Sequence, residues 1–427
     1  MDTYIIPLEK NKNIVFVPES INYFFADNVT AELVQRLDEG FDSLRSSFPG
    51  LNKETYNKLV YEICKENDKH LTSIPEKQLD RLIINISNDC NMRCKYCYAN
   101  QGTYGQEQNM ISSEFLKKTL DTFFSIFESI GLIQLFGGEP TMNIEAIENA
   151  GKYLKEHNYT TQLGLVTNAS LITDKFIELV RKYDIKVTVS VDVKKVHDSL
   201  RPFPKDTPSW ELIKNNIHKL QCNTSQPSQI EFTYTGVHEK ENISICQVLE
   251  ELKAEYGDIP VHIAPVCTTD IKYKLQTRNS FIQSVKTIYK EKESGNYLSY
   301  STLKAYELAL KHKIPFDYFC GAGISTLAVS TRGDIYPCFY FIDNEKFKIG
   351  NVFESKDKIQ NQIIEKRNLL YDRPKKKTEK CKNCFVRTVC TGCLGDNYTK
   401  TGDPFIPGAD HCEMTKKMIE EILKQAI

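Results

Sequence analysis

The chain has 427 residues, of which 41% are hydrophobic and 26% charged, the composition of a globular protein. Lysine and arginine together number 55 and aspartate and glutamate 56, so the formal net charge is -1. This balance removes the long-range attraction expected of a nucleic-acid-binding protein, and the length predicts two or three domains rather than one core.

The location of the protein is predicted from its apolar runs and its cysteines. No apolar run approaches the roughly 18 residues needed to span a bilayer, and the first residues lack the basic and apolar regions of a signal peptide. We therefore expect a cytoplasmic protein without a membrane partner. Fourteen cysteines in an intracellular chain indicate metal ligation rather than disulfides.

Residues 1–78 are predicted to form a small domain of three strands followed by two helices. The strands are short runs of β-branched or aromatic residues at positions 4–6, 14–17 and 23–25. Thr30 can cap the first helix, which is expected to end at Gly40. The second helix carries apolar residues at helical spacing from Tyr56 to Cys64.

Strand and helix patterns alternate from about residue 81 to 270. The predicted strands cover residues 81–87, 132–136, 162–166, 185–191, 230–234 and 261–266. An amphipathic helix between the first two carries apolar residues from Phe115 to Ile130. Six such repeats predict an α/β fold with a parallel sheet, either open and doubly wound or curved into a partial barrel.

Three cysteines follow the first predicted strand, at Cys90, Cys94 and Cys97. Their spacing lets one tight loop offer three thiolates to one cluster. A four-iron four-sulfur cluster needs four ligands, so one iron stays open to bind and activate an exogenous molecule. The alternatives are a zinc knuckle or unrelated reduced thiols.

Polar segments follow the next three predicted strands. They are Gly137-Gly138-Glu139-Pro140, Thr167-Asn168 and a segment that begins at Ser190. Taken singly, the first two are typical of a turn and a helix cap. Barrel enzymes build their sites at the carboxyl ends of the strands, so these segments and the cysteine loop would converge on one mouth, which favours the partial barrel.

The C-x3-C-x2-C spacing, with Tyr96 before the last cysteine and Gly-Gly-Glu-Pro after the second strand, resembles the radical S-adenosylmethionine (SAM) enzymes. The resemblance implies that the open iron binds the amino and carboxylate groups of SAM, and that an electron from the cluster splits SAM into methionine and a 5'-deoxyadenosyl radical. It places Tyr96 near the adenine and the segment Gly137, Gly138 and Glu139 at the methionine amino group. It also places Thr167, Asn168 and Ser190 by the ribose and carboxylate.

The segment from Ser190 to Pro202 is similar to that of peptide-modifying members, although Val193 stands where many of them have glycine. His197 and Arg201 in this segment either contact substrate or cofactor, or form a solvated pair, and we do not include them in the predicted site.

Seven cysteines occupy the last quarter of the chain: Cys320, Cys338, Cys381, Cys384, Cys390, Cys393 and Cys412. A hairpin with its turn at residues 331–334 is expected to bring Cys320 and Cys338 together. The pattern resembles the SPASM domain, with two rather than three residues before Cys393. That likeness implies one auxiliary cluster fully ligated by Cys381, Cys384, Cys390 and Cys412.

By the same likeness, Cys320, Cys338 and Cys393 hold three irons of a second auxiliary cluster, whose fourth iron stays open unless Cys267 or another residue binds it. The chain would thus carry three four-iron four-sulfur clusters. Zinc is the alternative for the two C-x2-C pairs. Cys64, Cys222, Cys246 and Cys267 have no motif partner and are interpreted as ordinary buried thiols. The basic run at residues 373–377 is predicted to be a solvated loop.

These resemblances predict a peptide-recognition domain at 1–78, a radical SAM barrel at 79–305 and a SPASM domain at 306–427. The first segment resembles the winged-helix module that binds the leader of a precursor peptide as an added strand, although a purely structural cap is the alternative. The expected activity is thioether formation in a ribosomally made precursor peptide, with flavodoxin or ferredoxin as electron donor.

Peptide epimerisation and carbon-carbon crosslinking remain alternative reactions. Anaerobic sulfatase maturation is disfavoured, because Phe339 stands where those enzymes place an aspartate base after the cysteine. A non-catalytic iron-sulfur or zinc protein is the alternative from another class.

Overall fold

The computed structural model describes residues 2–65, 67, 69 and 75–425. The amino-terminal strands β1 (Tyr4–Pro7), β2 (Asn13–Val17) and β3 (Asn22–Ala26) pair antiparallel in that order. Successive side chains of a strand point to opposite faces. Accordingly, Val15 and Val17 pack in the small core of this domain, whereas Ile14 and Phe16 pack in the main core.

Three helices follow the small sheet, where two were predicted: α1 (Asn28–Gln35), α2 (Phe41–Ser47) and α3 (Lys53–Cys64). The prediction that Thr30 caps the first helix is wrong, because its backbone N–H donates to the side chain of Asp27, which is the N-cap. The helix also ends at Gln35, before a short 3-10 turn, and Gly40 at φ +84° redirects the chain into α2.

The main sheet contains six parallel strands that match the predicted ones: β4 (Gln78–Ser87), β5 (Ser129–Gly137), β6 (Gln162–Thr167), β7 (Lys186–Ser190), β8 (Gln229–Tyr234) and β9 (Val261–Pro265). They are hydrogen bonded in chain order, and β9 forms one end of the sheet. The expected α/β fold is therefore confirmed as a parallel sheet of the partial-barrel type.

Helices follow the strands along the chain, and their apolar side chains pack with those of the sheet in the main core. They are α4 (Ser113–Ile126), α5 (Ile144–Glu156), α6 (Asp174–Tyr183), α7 (Lys194–Leu200), α8 (Trp210–Asn223), α9 (Gly236–Lys240), α10 (Ile245–Tyr256), α11 (Asn279–Glu293) and α12 (Ser301–His312). The predicted helix after the cysteine loop is shorter than expected, since α4 ends at Ile126 and Ile130 belongs to β5. None of the helices in the described residues is long and apolar enough to cross a membrane.

The carboxyl-terminal region begins with the hairpin that the sequence predicted. One strand of this hairpin also pairs with a strand of the main sheet, which was not expected. Strands β10 (Thr326–Val329), β11 (Asp334–Tyr336) and β12 (Gly350–Asn351) are antiparallel, but β10 also pairs parallel with β4, with Thr326 opposite Arg81. The hairpin therefore extends the barrel sheet. Helices α13 (Lys356–Tyr371), α14 (Leu394–Thr401) and α15 (Ala409–Gln425) complete the region.

The amino-terminal sheet packs on the carboxyl-terminal region. The ring of Tyr4 stacks on that of Phe385 with centroids 3.6 Å apart, and its hydroxyl donates to Glu420 over 2.7 Å. Phe385 follows Cys384 directly in the chain. The amino-terminal sheet thus contacts the cysteine-rich segment as well as helix α15.

Candidate active site

Cys90, Cys94 and Cys97 lie in the loop between β4 and α4, and backbone hydrogen bonds fix that loop. The N–H groups of Arg93 and Lys95 donate to the carbonyls of Pro202 and Leu200, each over 2.8 Å. Burial raises the pKa of Cys90 to about 12, and Glu139, Cys94 and Cys97 act in the same direction. A thiol with such a pKa stays protonated at neutral pH unless a metal ion displaces its proton.

The glycines at the end of β5 lie against the start of this loop. Gly138 N–H donates to the Ser87 carbonyl over 2.8 Å. A Cβ atom would lie 1.9 Å from the Ser87 oxygen at Gly137 and 2.3 Å from the Asp89 oxygen at Gly138. Glycine is therefore required here by contact with the chain's own backbone, in addition to the φ of +135° at Gly137.

The Glu139 carboxylate is buried and joins the ends of β5 and β6. One oxygen accepts hydrogen bonds from the N–H and hydroxyl of Thr141 and from the Thr167 hydroxyl, and the other accepts from the Asn168 N–H over 2.7 Å. Both oxygens are thus occupied by groups of the chain. Glu139 holds the neighbouring segments in position.

Asn168 connects the end of β6 to the cysteine loop. Its side-chain amide donates to Asn91 over 3.0 Å and lies 3.9 Å from the sulfur of Cys90. Ser190, at the end of β7, is half-buried and lies opposite Glu231 in the strand register. The polar segments predicted to converge are therefore brought to the same end of the sheet.

Arg201 and His197 are both buried, so the solvated-pair interpretation is wrong. Arg201 donates to the hydroxyl of Tyr96 over 3.0 Å, next to Cys94 and Cys97. Burial raises the pKa of Tyr96, whereas the charge of Arg201 lowers it. The sequence did not assign Arg201 to the site, although its position eight residues after the Val191-Asp192-Val193 segment would have been the available signal.

In the described residues the Nε2 of His197 is buried without a partner, and so are two further polar atoms near it. They are the Nε of Arg201 and one carboxylate oxygen of Asp192, whose other oxygen accepts from His238 over 2.8 Å. An unpaired buried donor or acceptor is costly, so each is suited to a polar ligand group. The donor suits an anion and the acceptor suits a cation.

Glu231 on β8 is a half-buried acid at the end of the sheet that carries Ser190. Burial raises its pKa to about 8, against the lowering effect of Arg201 and Arg81. The Nε2 of His262 on the neighbouring strand lies 3.8 Å from the carboxylate. Nothing in the spacing of the sequence distinguished Glu231 from an ordinary strand residue, because its partial burial depends on strands and arginines that are distant in the chain.

The seven carboxyl-terminal cysteines form two groups. Burial raises the pKa of Cys338 to about 12, with Cys320 adding to the shift, and Cys320 and Cys338 also raise the pKa of Cys393. Burial likewise raises the pKa of Cys381 to about 12, with contributions from Cys390, Cys412 and Cys384. The structure thus brings together the same two sets that the SPASM likeness implies.

Four aromatic rings separate the first cysteine loop from the hairpin cysteine. Tyr98, directly after Cys97, lies 4.8 Å from the ring of Tyr340 and 5.7 Å from that of Phe339, which follows Cys338. Phe136 at the end of β5 lies 5.0 Å from Phe339. Tyr98 is 43% exposed, so this cluster forms an open wall between the two loops.

The cysteines without a motif partner differ in exposure. Cys246 is buried as expected, but Cys64 and Cys222 are exposed, which corrects the interpretation of buried thiols for those two. Cys267 is half-buried, and burial raises its pKa to about 11, with Asp396 adding to the shift.

In the described part of the chain, no three Cys, His, Asp or Glu side chains converge on a point as ligands of one metal ion would. A cluster binds each thiolate on a different iron atom, so its ligands need not converge in this way. The three cysteine groups fit that kind of ligand set.

Comparison with known proteins assigns the family. The model of the radical SAM superfamily matches residues 84–250, and that of an iron-sulfur cluster-binding domain, SPASM, matches residues 320–385. An uncharacterised protein of Methanocaldococcus jannaschii is 34% identical over 265 residues, which cover 61% of this chain and 85% of that protein. The chain belongs to the radical SAM superfamily. It is an enzyme.

Other relatives cover more of this radical SAM enzyme at lower identity. The cyclopropyl synthase TigE of Paramaledivibacter caminithermalis is 22% identical over 85% of this chain and 78% of its own. The structure of native anSMEcpe with bound SAM superposes with a TM-score of 0.68 at 18% identity, over 81% of this chain and 97% of the other. That of Streptococcus suis SuiB bound to precursor peptide SuiA gives 0.55 at 18%, over 96% and 98%.

The two family matches imply iron-sulfur clusters and SAM binding in this radical SAM enzyme. The residues present fit both groups. Three half-buried thiols in one loop suit a cluster with one open iron. The unpaired donor of Arg201 and acceptor of Asp192 suit the carboxylate and ammonium of a methionine moiety.

Proposed function

We propose that the protein modifies a ribosomally synthesised precursor peptide by forming a thioether between a cysteine sulfur and a carbon atom. It would do so with three domains, a leader-binding domain at 1–78, a radical SAM barrel at 79–305 and a SPASM domain at 306–427. A bound cluster and SAM would supply a 5'-deoxyadenosyl radical able to take hydrogen from an unactivated carbon.

The residues of the barrel mouth would hold these groups. Cys90, Cys94 and Cys97 would bind the SAM cluster. The segment Gly137, Gly138 and Glu139 would position the methionine amino group, with Glu139 acting by holding its neighbours, since both of its oxygens are occupied.

The other SAM contacts would come from the neighbouring strands. Thr167, Asn168 and Ser190 would lie by the ribose and carboxylate, and Tyr96 by the adenine. Arg201 is added to these residues because its buried Nε has no partner among the described residues and its guanidinium donates to the hydroxyl of Tyr96.

The auxiliary sites would use the two further cysteine groups. Cys381, Cys384, Cys390 and Cys412 would bind one cluster completely. Cys320, Cys338 and Cys393 would hold a second, giving three four-iron four-sulfur clusters in all.

The observation that carries this proposal is the contact between Tyr98 and Tyr340, with ring centroids 4.8 Å apart. Each ring lies within two residues of a cysteine of a different group. A peptide side chain lying on this aromatic wall would reach the SAM site on one side and the hairpin site on the other. Aromatic walls exclude water and orient such a chain at low entropic cost.

The partner would be a precursor peptide whose leader adds to the free edge of β3. Phe25 on this strand is 51% exposed, and an added strand would cover it. SuiB, which superposes over 96% of this chain, was solved with its precursor peptide. A flavodoxin or ferredoxin would supply electrons.

A pair of matched variants tests the leader site. Phe25→Asp should weaken binding of the small peptide encoded beside the enzyme about tenfold or more, because a charge would replace apolar contact at the sheet edge. Val29→Asp, at a position on α1 that is 61% exposed, should leave binding unchanged. Equal effects of the two variants would contradict a leader site at β3.

A carbon-carbon crosslink is the second candidate, because TigE, a cyclopropyl synthase, matches 85% of the chain. Sulfatase maturation is disfavoured, because Phe339 cannot accept a proton. Mass spectrometry of the co-expressed peptide separates the reactions. Loss of two hydrogen atoms with one cysteine blocked against alkylation supports the thioether. The same loss with every cysteine free supports a carbon-carbon bond, and unchanged mass with altered stereochemistry supports epimerisation.

A further inference from the structure

Lys375 is a buried lysine in the cysteine-rich segment, where the sequence predicted a solvated loop. It begins a short 3-10 turn at residues Lys375–Lys377, and only 2% of its surface is exposed. Its backbone N–H donates to the Asp317 carbonyl over 2.9 Å. Lys376 and Lys377, by contrast, are exposed as the sequence predicted.

The ammonium of Lys375 points at the cysteine group of residues 381–412. It donates a hydrogen bond to the backbone carbonyl of Cys390. Burial lowers the pKa of Lys375, and the neighbours that oppose this shift are, in decreasing order, Cys390, Cys381, Asp317 and Cys384. The side chain therefore lies beside three of the four cysteines that we assign to one auxiliary cluster.

A buried ammonium is costly unless an anion compensates it. Of the neighbouring groups, Asp317 supplies one negative charge and neutral thiols supply none, whereas four thiolates on an iron-sulfur centre would add a net negative charge beside the ammonium. Each electron added to such a centre makes it more negative, so a nearby fixed cation stabilises the reduced form more than the oxidised one.

We propose that Lys375 is the buried counter-charge of the centre held by Cys381, Cys384, Cys390 and Cys412, and that it raises the reduction potential of that centre. The inference rests on the proposed function, which places a cluster there. Lys375 is a positioning residue in this role, since it touches a ligand's backbone.

The test is an anaerobic potentiometric titration of the full chain, followed by electron paramagnetic resonance. Lys375→Gln should shift one auxiliary centre to a more negative potential, by about tenfold in the one-electron equilibrium, or about 59 mV. Lys375→Arg should keep the parent potential. Lys376→Gln, the exposed neighbour, is the matched control and should change nothing, and the centre of Cys90, Cys94 and Cys97 is the internal reference.

A Lys375→Gln protein with full iron content and parent potentials overturns the inference while the proposed function stands. If the Cys384→Ala variant held as much iron as the parent, no cluster would be bound by this cysteine group. The inference about Lys375 and the proposed function would then both be wrong. If Lys375→Gln loses the auxiliary centre and Lys375→Arg keeps it, the counter-charge role of Lys375 is supported. If both variants lose the centre, that role is contradicted, because the shape of the side chain rather than its charge would then matter.

Discussion

The hydroxyl of Thr167 donates a hydrogen bond to the carboxylate of Glu139 over 2.7 Å, across the ends of two neighbouring strands. Asn168 donates its backbone N–H to the other oxygen of the same carboxylate. The loop after β5 and the loop after β6 are therefore held together by one buried acid. The SAM-binding segments proposed on those loops depend on it for their relative position.

Glu139→Gln should destabilise the fold by about 2 kcal/mol or more, because the amide would turn a donor toward groups that are themselves donors. Chemical unfolding measures the loss. Glu148→Gln, which breaks a partly exposed ion pair with Lys175, is the control and should cost less than about 1 kcal/mol. If the two variants were equally stable, the Glu139 network would not hold the site together.

Gly137→Ala should destabilise the protein by at least about 2 kcal/mol, because a Cβ would lie 1.9 Å from the Ser87 oxygen and φ is +135°. Two alanine variants separate these causes in thermal unfolding. Gly257 has a φ of +85° with nothing within 4 Å, and Gly50 has open space and no positive φ. We expect the loss of stability to be largest for Gly137→Ala, smaller for Gly257→Ala and smallest for Gly50→Ala. A smaller loss at Gly137 than at Gly257 would contradict the close contact with the Ser87 oxygen.

Arg201→Gln should weaken SAM binding to the reconstituted enzyme about tenfold or more, since it removes a buried charged donor. Isothermal titration of SAM under anaerobic conditions measures the change. Arg181→Gln removes an exposed arginine that bonds Asn223 on the outer surface and should bind SAM like the parent. Unchanged affinity in Arg201→Gln, with parent-like circular dichroism, would exclude Arg201 from the SAM site.

Folding stability should depend on pH through His197. Burial and the charge of Arg201 lower its pKa to about 4, below its usual value of 6.5. Below pH 6.5 the imidazole of His197 is therefore protonated in the unfolded chain but stays neutral in the folded protein. The free energy of unfolding consequently falls as the pH decreases from 6.5 toward 4. Between pH 7.5 and 5.5 the loss from this group is about 1 kcal/mol.

Urea unfolding at these two pH values checks the His197 prediction. His197→Gln should be less stable at both values, because it loses packing on Trp210, but its stability should fall less between them. His157→Gln, at the exposed residue that directly follows α5, should keep the parent dependence. An equal fall in His197→Gln and the parent would assign the pH dependence to other groups.

The sequence predicted what depends on local patterns. Alternating β-branched runs indicated the six parallel strands to within a few residues, and the likeness of the cysteine motifs to known families implied three groups that the fold brings together. It did not predict the pairing of β10 with β4, because strands about 250 residues apart leave no local signal for each other.

The buried charges were missed for a related reason. Arg201 and Lys375 belong to types that are usually solvated, and only contacts with Tyr96 and with the Cys390 carbonyl reveal their burial. The predicted N-cap of α1 was wrong for a local reason. Asp27 and Thr30 are both residue types that suit an N-cap, and the helix begins directly after Asp27.

The cluster assignment predicts how iron content responds to single cysteine changes. If three clusters are bound, the reconstituted chain should hold about twelve irons. The Cys94→Ala variant should hold about four irons fewer and should no longer release 5'-deoxyadenosine. Cys222→Ala, on an exposed cysteine without a motif partner, should keep all of the iron and the deoxyadenosine release. Iron and deoxyadenosine analysis after anaerobic reconstitution measures both. Zinc with little iron in the parent, or parent-like release in Cys94→Ala, would contradict the assignment, because a loop that has lost one of three thiolates cannot hold the SAM cluster in the same way.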